Sequence, residues 1–416
     1  MTIWIITTGE QLPNIDGENV RLWRSVLLTQ ELLKRGHQVV RWSSTFDHSK
    51  KKHRFQEDTV IQVDKNYRIS LIKSPGYKSN ISVQRFYDHI VMAKKFAKII
   101  KTEKKPDIIL CSLPTIELCI EATKYGKKYN VPVVLDGRDM WPDLFEEIFP
   151  KRLKFLSKIL LYTLFKNVKK ACKNATFLSG ISEPYINWEL KYAGRERRTF
   201  DKSFSHSYIS ESPKEEDIKL AMKFWEEQGI VTQDFNICLF SAMGNVIDID
   251  KVLIAAQKVE KNNIKFVLCG DGVRLEEFKI KASEIKNVVF PGWINSSQIW
   301  TLMRLSKLGI LPYWDIDNYK MNIPNKPIEY LSAGLPILSS VSGLVKELVE
   351  QHECGFFYKD GLQLSTQIEI VLNNPNLLTN MSKNAKELFD DKFVASKVYG
   401  GMADYLIEIT NFQKYE

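Results

Sequence analysis

Runs of consecutive apolar residues alternate with longer segments of helical periodicity from the start of the chain. Six short runs in the first half predict buried strands, at 3–8, 37–44, 67–73, 107–112, 131–137 and 175–182. Between the first two, segment 21–37 repeats leucine and valine at helical spacing and ends at Gly36. Continuous apolar strands joined by helices are typical of a parallel sheet covered on both sides.

The same alternation restarts after a polar, acidic segment at 210–219. Six more strands are predicted, at 235–242, 264–270, 286–292, 307–313, 335–340 and 355–360. We therefore expect an α/β fold of two doubly wound, Rossmann-like domains with parallel sheets, facing each other across a cleft. The predicted domains are 1–209 and 210–396, with a last helix at about 397–416 packing back on the first domain.

The composition of the 416-residue chain fits two globular cores and limits the chemistry. No apolar run is long enough to span a membrane, and the first residues predict a strand rather than an export signal. The six histidines form no cluster, so neither a metal site nor a cofactor is expected. Six widely spaced cysteines predict buried thiols in a reducing cytoplasm: Cys111, Cys119, Cys172, Cys238, Cys269 and Cys354.

Charge is unevenly distributed between the two halves. Residues 1–200 contain 36 Lys and Arg against 21 Asp and Glu, whereas the rest of the chain is net acidic. This asymmetry indicates an anionic partner for the first half, either a nucleic acid or a membrane surface. Nucleic acid is the weaker alternative, because no basic strand face with interleaved aromatic residues and no recognisable module is present.

In the second half, several predicted strands run directly into glycine-containing turns. These turns contain Gly244, Gly270, Gly272 and Gly292. Glycine allows positive φ and a close approach of backbone N–H groups to an oxyanion, although a single glycine after a strand is usually only a turn. Their recurrence along one sheet edge favours a ligand that carries phosphate.

Segment 325–340 predicts a short helix with one carboxylate, Glu329, among apolar neighbours. Asn325 is expected to cap this helix, Pro327 to lie in its first turn, and Glu329 to face away from the core toward the cleft. The carboxylate has two interpretations of about equal weight. It either complements the helix dipole or accepts hydrogen bonds from the two hydroxyls of a ribose.

Together with "VLCGDG" and "VVFPGWI" upstream, segments 307–315 and 323–358 resemble the donor-binding domain of retaining GT-B glycosyltransferases of family 4. The resemblance implies that Glu329 grips the donor ribose and that Trp293 and Ile294 meet the base. The resemblance also assigns the turn at Gly244 and Asn245 and the helix start near Asn325 to the donor diphosphate. Gly270 and Gly272 are further donor-site candidates because of their turn.

The sequence departs from the family pattern at one carboxylate. The family pairs two glutamates eight positions apart, but Met321 stands eight residues before Glu329. A basic residue after the first glycine turn is also missing, which leaves Lys326 as the best cation for the diphosphate. The altered pattern "P-x-K-x-x-E" resembles members that glycosylate lipid-linked bacterial glycans.

The first half contains a dense polar cluster at 135–143, "LDGRDMWPD", which resembles the same subgroup. Opposed charges at a strand end can bind hydroxyls or supply a base, and an ion-paired loop is the alternative. Asp139 is the favoured catalytic candidate, with Arg138 and Asp136 beside it. In the loop after the first strand, plausible contacts to the acceptor and donor phosphates are Glu10, Gly17, Asn19 and Arg21.

Segment 151–173 predicts a basic, apolar helix. Its leucines at 153, 156, 160 and 164, with Val168, fall on one side, and its lysines fall on the other. Such a helix either docks on its own domain or attaches the protein to anionic lipid, and we favour attachment.

The sequence thus predicts an enzyme at the inner face of the bacterial cytoplasmic membrane. We expect it to transfer a sugar from a nucleotide-diphosphate sugar, with UDP favoured, to a lipid-linked glycan in capsule or O-antigen synthesis. The resemblance implies retention of configuration without a metal. The alternatives are a nucleotide-sugar epimerase or hydrolase and a non-catalytic protein that binds sugar nucleotides.

Overall fold

The computed structural model describes residues 1–17, 22–146, 154–260 and 263–412. Within these residues the chain forms two compact units. The first contains Met1–Ser205 and Ala395–Glu416, and the second contains His206–Val394. The sequence places the corresponding boundaries after residues 209 and 396.

The first unit is built on an eight-stranded sheet whose central strand is the first one in the chain. The strands of the whole first unit are β1 (Thr2–Ile6), β2 (Gln38–Ser44), β3 (Phe46–Asp47), β4 (Lys52–His53), β5 (Thr59–Asp64), β6 (Tyr67–Ile72), β7 (Ile108–Leu113), β8 (Val133–Gly137), β9 (Phe177–Gly180) and β10 (Lys202–Ser203). The order in the large sheet is β10-β9-β8-β7-β1-β2-β6-β5, while β3 and β4 form a small hairpin. All neighbours are parallel except β5, which runs antiparallel to β6 at the edge.

Within the described residues, eight helices of this unit come before the second unit in the sequence. They are α1 (Pro13–Asp16), α2 (Arg24–Lys34), α3 (Val83–Ile99), α4 (Ile116–Tyr129), α5 (Asp143–Glu146), α6 (Lys154–Leu160), α7 (Tyr162–Asn174) and α8 (Glu183–Ala193). Apolar faces of α3, α4 and α7 bury a core against strands β1, β7 and β8, which includes Trp4, Trp42 and Phe96. This packing accounts for the uninterrupted apolar strands of the sequence.

The second unit is a six-stranded parallel sheet in the order β13-β12-β11-β14-β15-β16. Its strands are β11 (Phe235–Phe240), β12 (Ile264–Cys269), β13 (Val288–Gly292), β14 (Ser306–Leu311), β15 (Ile337–Ser339) and β16 (Gly355–Phe357). Its helices are α9 (Glu215–Glu227), α10 (Ile249–Lys258), α11 (Leu275–Lys281), α12 (Ser296–Leu305), α13 (Asp317–Lys320), α14 (Asn325–Ser332), α15 (Leu344–Gln351), α16 (Gly361–Leu372) and α17 (Pro375–Lys392). Separate apolar clusters cover the two faces of this sheet.

The last helix, α18 (Ala395–Phe412), packs on α2 of the first unit. The Arg35 guanidinium lies 3.1 Å from the Asp404 carboxylate, and the Tyr405 hydroxyl donates to the Phe200 carbonyl at 2.7 Å. The first unit therefore consists of two separate segments of the chain.

The predicted α/β class with two doubly wound parallel sheets is confirmed. All six cysteines are buried free thiols, as predicted. Among the described residues, no helix is both long and apolar enough to cross a membrane, and no group of three His, Cys, Asp or Glu side chains is placed to hold a metal ion.

The prediction of a single helix over 151–173 is wrong. Leu161 interrupts it and separates α6 from α7. Leu160, expected on the docked side, is 71% exposed, whereas Val168 is fully buried. The side chains at 153 and 156 lie outside the described residues.

Candidate functional site

The second unit has a topological switch point at the carboxyl ends of β11 and β14. These strands are parallel neighbours, and the strand order runs outward in opposite directions from them. Ligands of open α/β sheets bind outside the strand ends at such a point. The turn after β11, which contains Gly244 and Asn245, lies at this edge, as do the glycine turns after β12 and β13.

Helix α14 is held on this sheet by Tyr330. The Tyr330 hydroxyl donates to the carbonyl oxygens of Cys238 in β11, at 3.2 Å, and Ile310 in β14, at 3.1 Å. Gly309 makes room for the ring, because any side chain at that position would collide with it. The rotation of the helix is thereby fixed, and with it the position of Glu329 next to Tyr330 in the chain.

Glu329 is buried rather than exposed, with a relative accessibility of 3%. Its carboxylate forms an ion pair with Lys326, one helical turn earlier, at 3.1 Å. The Lys326 ammonium also lies 4.7 Å from the centre of the Phe240 ring at the end of β11. Lys326 is thus a largely buried cation at the sheet edge rather than an ordinary surface lysine.

The expectation that Asn325 caps α14 is wrong. Pro324 occupies the N-cap position, and Asn325 is the first helical residue. Proline has no side-chain acceptor, so the N-cap residue makes no side-chain hydrogen bond to the first N–H groups of this helix.

Two glycines after β12 are required by packing against the turn after β11. Gly270 and Gly272 have positive φ, and a Cβ at either would collide with the backbone carbonyl of Ser241 or Met243. Gly244 differs from the expectation, because its φ is not positive. Nothing lies within 4 Å of the position that a Cβ would occupy at Gly244.

The two residues assigned to the nucleotide base have opposite environments. Trp293 is 73% exposed directly after β13, whereas Ile294 is packed in the apolar core beside Cys269. Of the two, Trp293 therefore has a side chain that is accessible for stacking.

In the first unit, Arg138 joins two buried carboxylates. It forms ion pairs with Glu10, from the loop after β1, and with Asp136, at the end of β8, the latter at 3.0 Å. Arg24 also holds Asp136, at 2.9 Å, and Arg41 holds Glu10, at 2.8 Å. The structure brings these predicted site residues together as one ion-pair network.

Both acids of this network are ionised. Burial opposes their charge, but Arg138 and Arg41 outweigh it and hold the pKa of Glu10 below its usual value. Arg24 and Arg138 do the same for the pKa of Asp136. The Ser179 hydroxyl also donates to Asp136, so both oxygens of this carboxylate have partners inside the protein.

Asp139 has a different environment, although it is only one residue beyond Arg138. Burial raises its pKa to about 6, against the opposing effect of the Arg85 and Arg138 charges. A carboxyl group with such a pKa can exchange a proton near neutral pH, as a general base must. Beside it, the Nη2 atom of Arg138 is buried without a hydrogen-bond partner in the described part of the chain.

The remaining residues of the cluster support this loop. Asp143 accepts hydrogen bonds from the Trp188 indole at 3.0 Å and the Tyr192 hydroxyl at 2.7 Å. Gly17, with φ of 113°, follows the short helix α1, whereas Asn19 and Arg21 lie outside the described residues.

Sequence reasoning missed two residues of α3 beside the loop that contains Asp139, namely Arg85 and His89. The Arg85 guanidinium lies 4.4 Å from the centre of the Trp141 ring, and His89 stacks on the same indole with 6.1 Å between ring centres. These residues are scattered singly along the sequence and show no motif. In the sheet, β2 and β6 lie on the other side of β1 from β8, and the sequence alone does not reveal this strand order.

The second unit can now be compared with known families. Residues 223–388 match the family described as "Glycosyl transferases group 1". The match shows that this segment is similar to group 1 glycosyltransferases. The segment contains α14 with Glu329 and Lys326, as well as all of the glycine turns described above.

Solved structures share the fold of nearly the whole chain. Sucrose-phosphate synthase from Thermosynechococcus elongatus has a TM-score of 0.71 at 13% identity, with 98% of each chain covered. Anabaena HepE in complex with UDP-glucose has a TM-score of 0.64 at 14% identity, covering 98% of this chain and 100% of its own. WaaG, a glycosyltransferase involved in lipopolysaccharide biosynthesis, has a TM-score of 0.62 at 14% identity, covering 98% and 99%.

At these identities the likeness shows the fold, which is that of GT-B glycosyltransferases. No curated protein matches the chain in sequence. The matched segment lies within the second unit, so the comparison by family leaves the first unit, with Asp139 and Arg138, unassigned.

Proposed function

We propose that this protein transfers a sugar from a nucleotide-diphosphate sugar, with a UDP-sugar favoured, to a lipid-linked glycan in bacterial capsule or O-antigen synthesis. The observation that carries the proposal is the match of residues 223–388 to group 1 glycosyltransferases. Support for the donor comes from fold relatives that were solved with UDP and UDP-glucose.

The donor would lie at the switch point of the second sheet. In this proposal Glu329 accepts hydrogen bonds from the ribose hydroxyls, and Trp293 stacks on the base. Lys326 and the first N–H groups of α14 face the diphosphate and stabilise it as it leaves, so that no divalent cation is assigned to this step. Retention of configuration is part of the proposal through the resemblance alone.

Replacing Glu329 by alanine should weaken nucleotide binding. Removing a charged acceptor from two hydroxyl hydrogen bonds is expected to cost about 1.5–3 kcal/mol, which is roughly a 10- to 150-fold loss of affinity. Calorimetric titration of the whole protein with UDP, GDP and ADP measures this loss and identifies the base.

Glu369→Ala is a matched control, because Glu369 is an exposed acid on α16 of the same unit. It should bind the nucleotide as the wild type does. If no nucleotide binds to the wild type, or if the two variants behave alike, Glu329 is only a charge near a helix end and the transferase proposal loses its main support.

For the acceptor, we propose that the first unit docks on anionic lipid at the inner face of the cytoplasmic membrane. Ile159, Leu160 and Tyr162 are 68%, 71% and 63% exposed at the junction of α6 and α7. Five lysines of the same two helices are also exposed: Lys158, Lys166, Lys169, Lys170 and Lys173. Apolar side chains surrounded by cations are suited to a layer of anionic headgroups over acyl chains.

The double substitution Ile159→Ser and Leu160→Ser should reduce binding to vesicles that contain phosphatidylglycerol by at least about tenfold, since each side chain loses apolar burial. Cosedimentation with vesicles measures this. The matched control, Val273→Ser with Ile280→Ser, removes two exposed apolar side chains from the second unit. Equal binding by the two double variants would contradict the proposed surface.

A further inference from the structure

Two cations in the first unit share one aromatic ring. The Lys51 ammonium lies 4.8 Å from the centre of the Tyr77 ring, and the Arg85 guanidinium carbon lies 5.4 Å from it. Lys51 comes from the loop after β3, Tyr77 from the segment after β6, and Arg85 from the first turn of α3. Three separate chain segments therefore converge to place two positive charges together.

The hydrogen bonds of these cations go to neutral groups. Lys51 donates to the side-chain oxygen of Asn80, and Arg85 donates to the carbonyl oxygen of Asn80 at 2.8 Å. Neither forms an ion pair with a carboxylate in the described ranges of the chain. The Nε atom of Arg85 is buried and has no hydrogen-bond partner within those ranges.

The surrounding titratable groups respond to this excess of positive charge. Burial and then the neighbouring Arg85 lower the pKa of Lys51. Burial, Lys51 and Arg85 lower the pKa of His48 to about 4, and His89 is lowered to about 3 by burial, Arg85 and His48. Both imidazoles are therefore neutral at pH 7, and His48 is hydrogen-bonded to the Tyr77 hydroxyl at 2.6 Å.

In the described residues no carboxylate lies within ion-pair distance of Lys51 or Arg85, and the charges of Asp47 on Lys51 and of Asp88 and Asp139 on Arg85 act from farther away. Asp47 forms an ion pair with Arg54 at 3.3 Å, and Asp88 accepts the Gly76 N–H at 2.6 Å. Asp139, whose charge acts on Arg85, has the raised pKa described above. Two half-buried cations that have no carboxylate in direct contact within the described residues are stabilised when an anion binds to both.

The location connects this cluster to the proposed chemistry. Arg85 contacts the Trp141 ring, two residues beyond Asp139 in the loop after β8. Guanidinium and ammonium groups with free donors are the side chains that recognise phosphate oxygens, and Arg does so with a planar pair of N–H groups.

We propose that Lys51 and Arg85, beside Tyr77, bind a phosphoryl group of the acceptor substrate. That the phosphoryl group belongs to the acceptor substrate rests on the proposed function, whereas the binding of a phosphoryl group at this site does not. The ligand chemistry is a phosphate monoester or a diphosphate ester, which either a soluble sugar phosphate or a lipid-linked diphosphate would supply.

The test is calorimetric titration of the full chain with inorganic pyrophosphate while UDP is held at saturation, so that any donor diphosphate site is occupied. Lys51→Gln with Arg85→Gln should weaken pyrophosphate binding by about tenfold or more, because two charge-assisted contacts are lost. Lys52→Gln with Lys94→Gln removes the same charge from exposed positions in β4 and α3 and should have little effect.

A third variant, Arg85→Lys, keeps the charge and should retain most of the binding. Thermal unfolding checks that each variant is folded. Absence of pyrophosphate binding to the wild type, or equal loss in the two double variants, overturns the proposal. Failure of UDP to bind contradicts the proposed function instead, and the pyrophosphate titration without UDP still tests the cation pair.

Two further titrations identify the source of the phosphoryl group. Glucose 6-phosphate tests a soluble monoester, and farnesyl diphosphate in detergent micelles tests a lipid-linked diphosphate. Tighter binding of either one that depends on Lys51 and Arg85 supports the proposal and names the class of acceptor. If the double variant binds both ligands as the wild type does, the proposal is contradicted.

Discussion

Replacing Arg138 by methionine is expected to lower the free energy of unfolding of the first unit by about 3–5 kcal/mol, because it removes one partner from a buried ion-pair network. Asp136 is fully buried and Glu10 nearly so, and both would lose a counter-ion that they cannot replace with water. Amide hydrogen exchange in increasing urea measures this loss for the two units separately.

Arg197→Met is the control for this substitution. Arg197 forms an ion pair with Glu183 at the surface of the same unit, with both side chains about half exposed. Such pairs contribute roughly 0–1 kcal/mol. A loss for Arg138→Met as small as that for Arg197→Met would mean that the network does not stabilise the fold.

Asp139→Asn is expected to lower the rate of sugar transfer by about 100- to 10,000-fold, the usual contribution of a general base. UDP release from a UDP-sugar measures the rate. With the Asp139 pKa at about 6, the carboxylate is present above that pH and is lost as pH falls through it. The wild-type rate should therefore decline below about pH 6, and the variant should lack this decline.

The matched control in the same loop is Asp143→Asn. The Asp143 carboxylate is occupied by Trp188 and Tyr192, so it is expected to position the loop rather than to move a proton. The rate of the Asp143→Asn variant should still decline as the pH falls, as in the wild type. A wild-type rate for Asp139→Asn, or an acidic decline that persists in it, would assign the base to another group, such as the donor phosphate.

The sequence predicted the parallel strands of both sheets except the two-residue β10, because a strand buried on both faces is apolar at most of its positions. The segment Ile108–Leu113 is an example, since all six of its residues are buried and only Ser112 is polar. Strand β5 was missed because it lies antiparallel at the sheet edge, where its residues alternate between half-buried and exposed. Its exposed positions include Val60 as well as Gln62 and Asp64, so the sequence shows no clear alternation of apolar and polar residues that would have predicted the strand.

The candidate site was predictable where its residues are close in sequence and not where the fold brings them together. The segment 325–334 contains its own evidence, from the proline in the first turn to the glycine that ends the helix. Arg138 lies close to Asp136 in sequence, but Arg24, the other partner of Asp136, and Arg41, a partner of Glu10, are 112 and 31 residues away from their carboxylates. No local pattern therefore reveals the complete network. The role of Asp136 as part of a structural network follows only from those contacts.

Helix α18 has a consequence for the order in which the chain folds during synthesis. The second unit is one continuous segment, so all of it is made before α18 is. The ring of Tyr399 in α18 lies 5.9 Å from the guanidinium of Arg24, which holds Asp136. The first unit, although it is synthesised first, therefore completes the surroundings of its buried charges last, and a ribosome-bound chain without α18 is exposed to chaperones and proteases at this point.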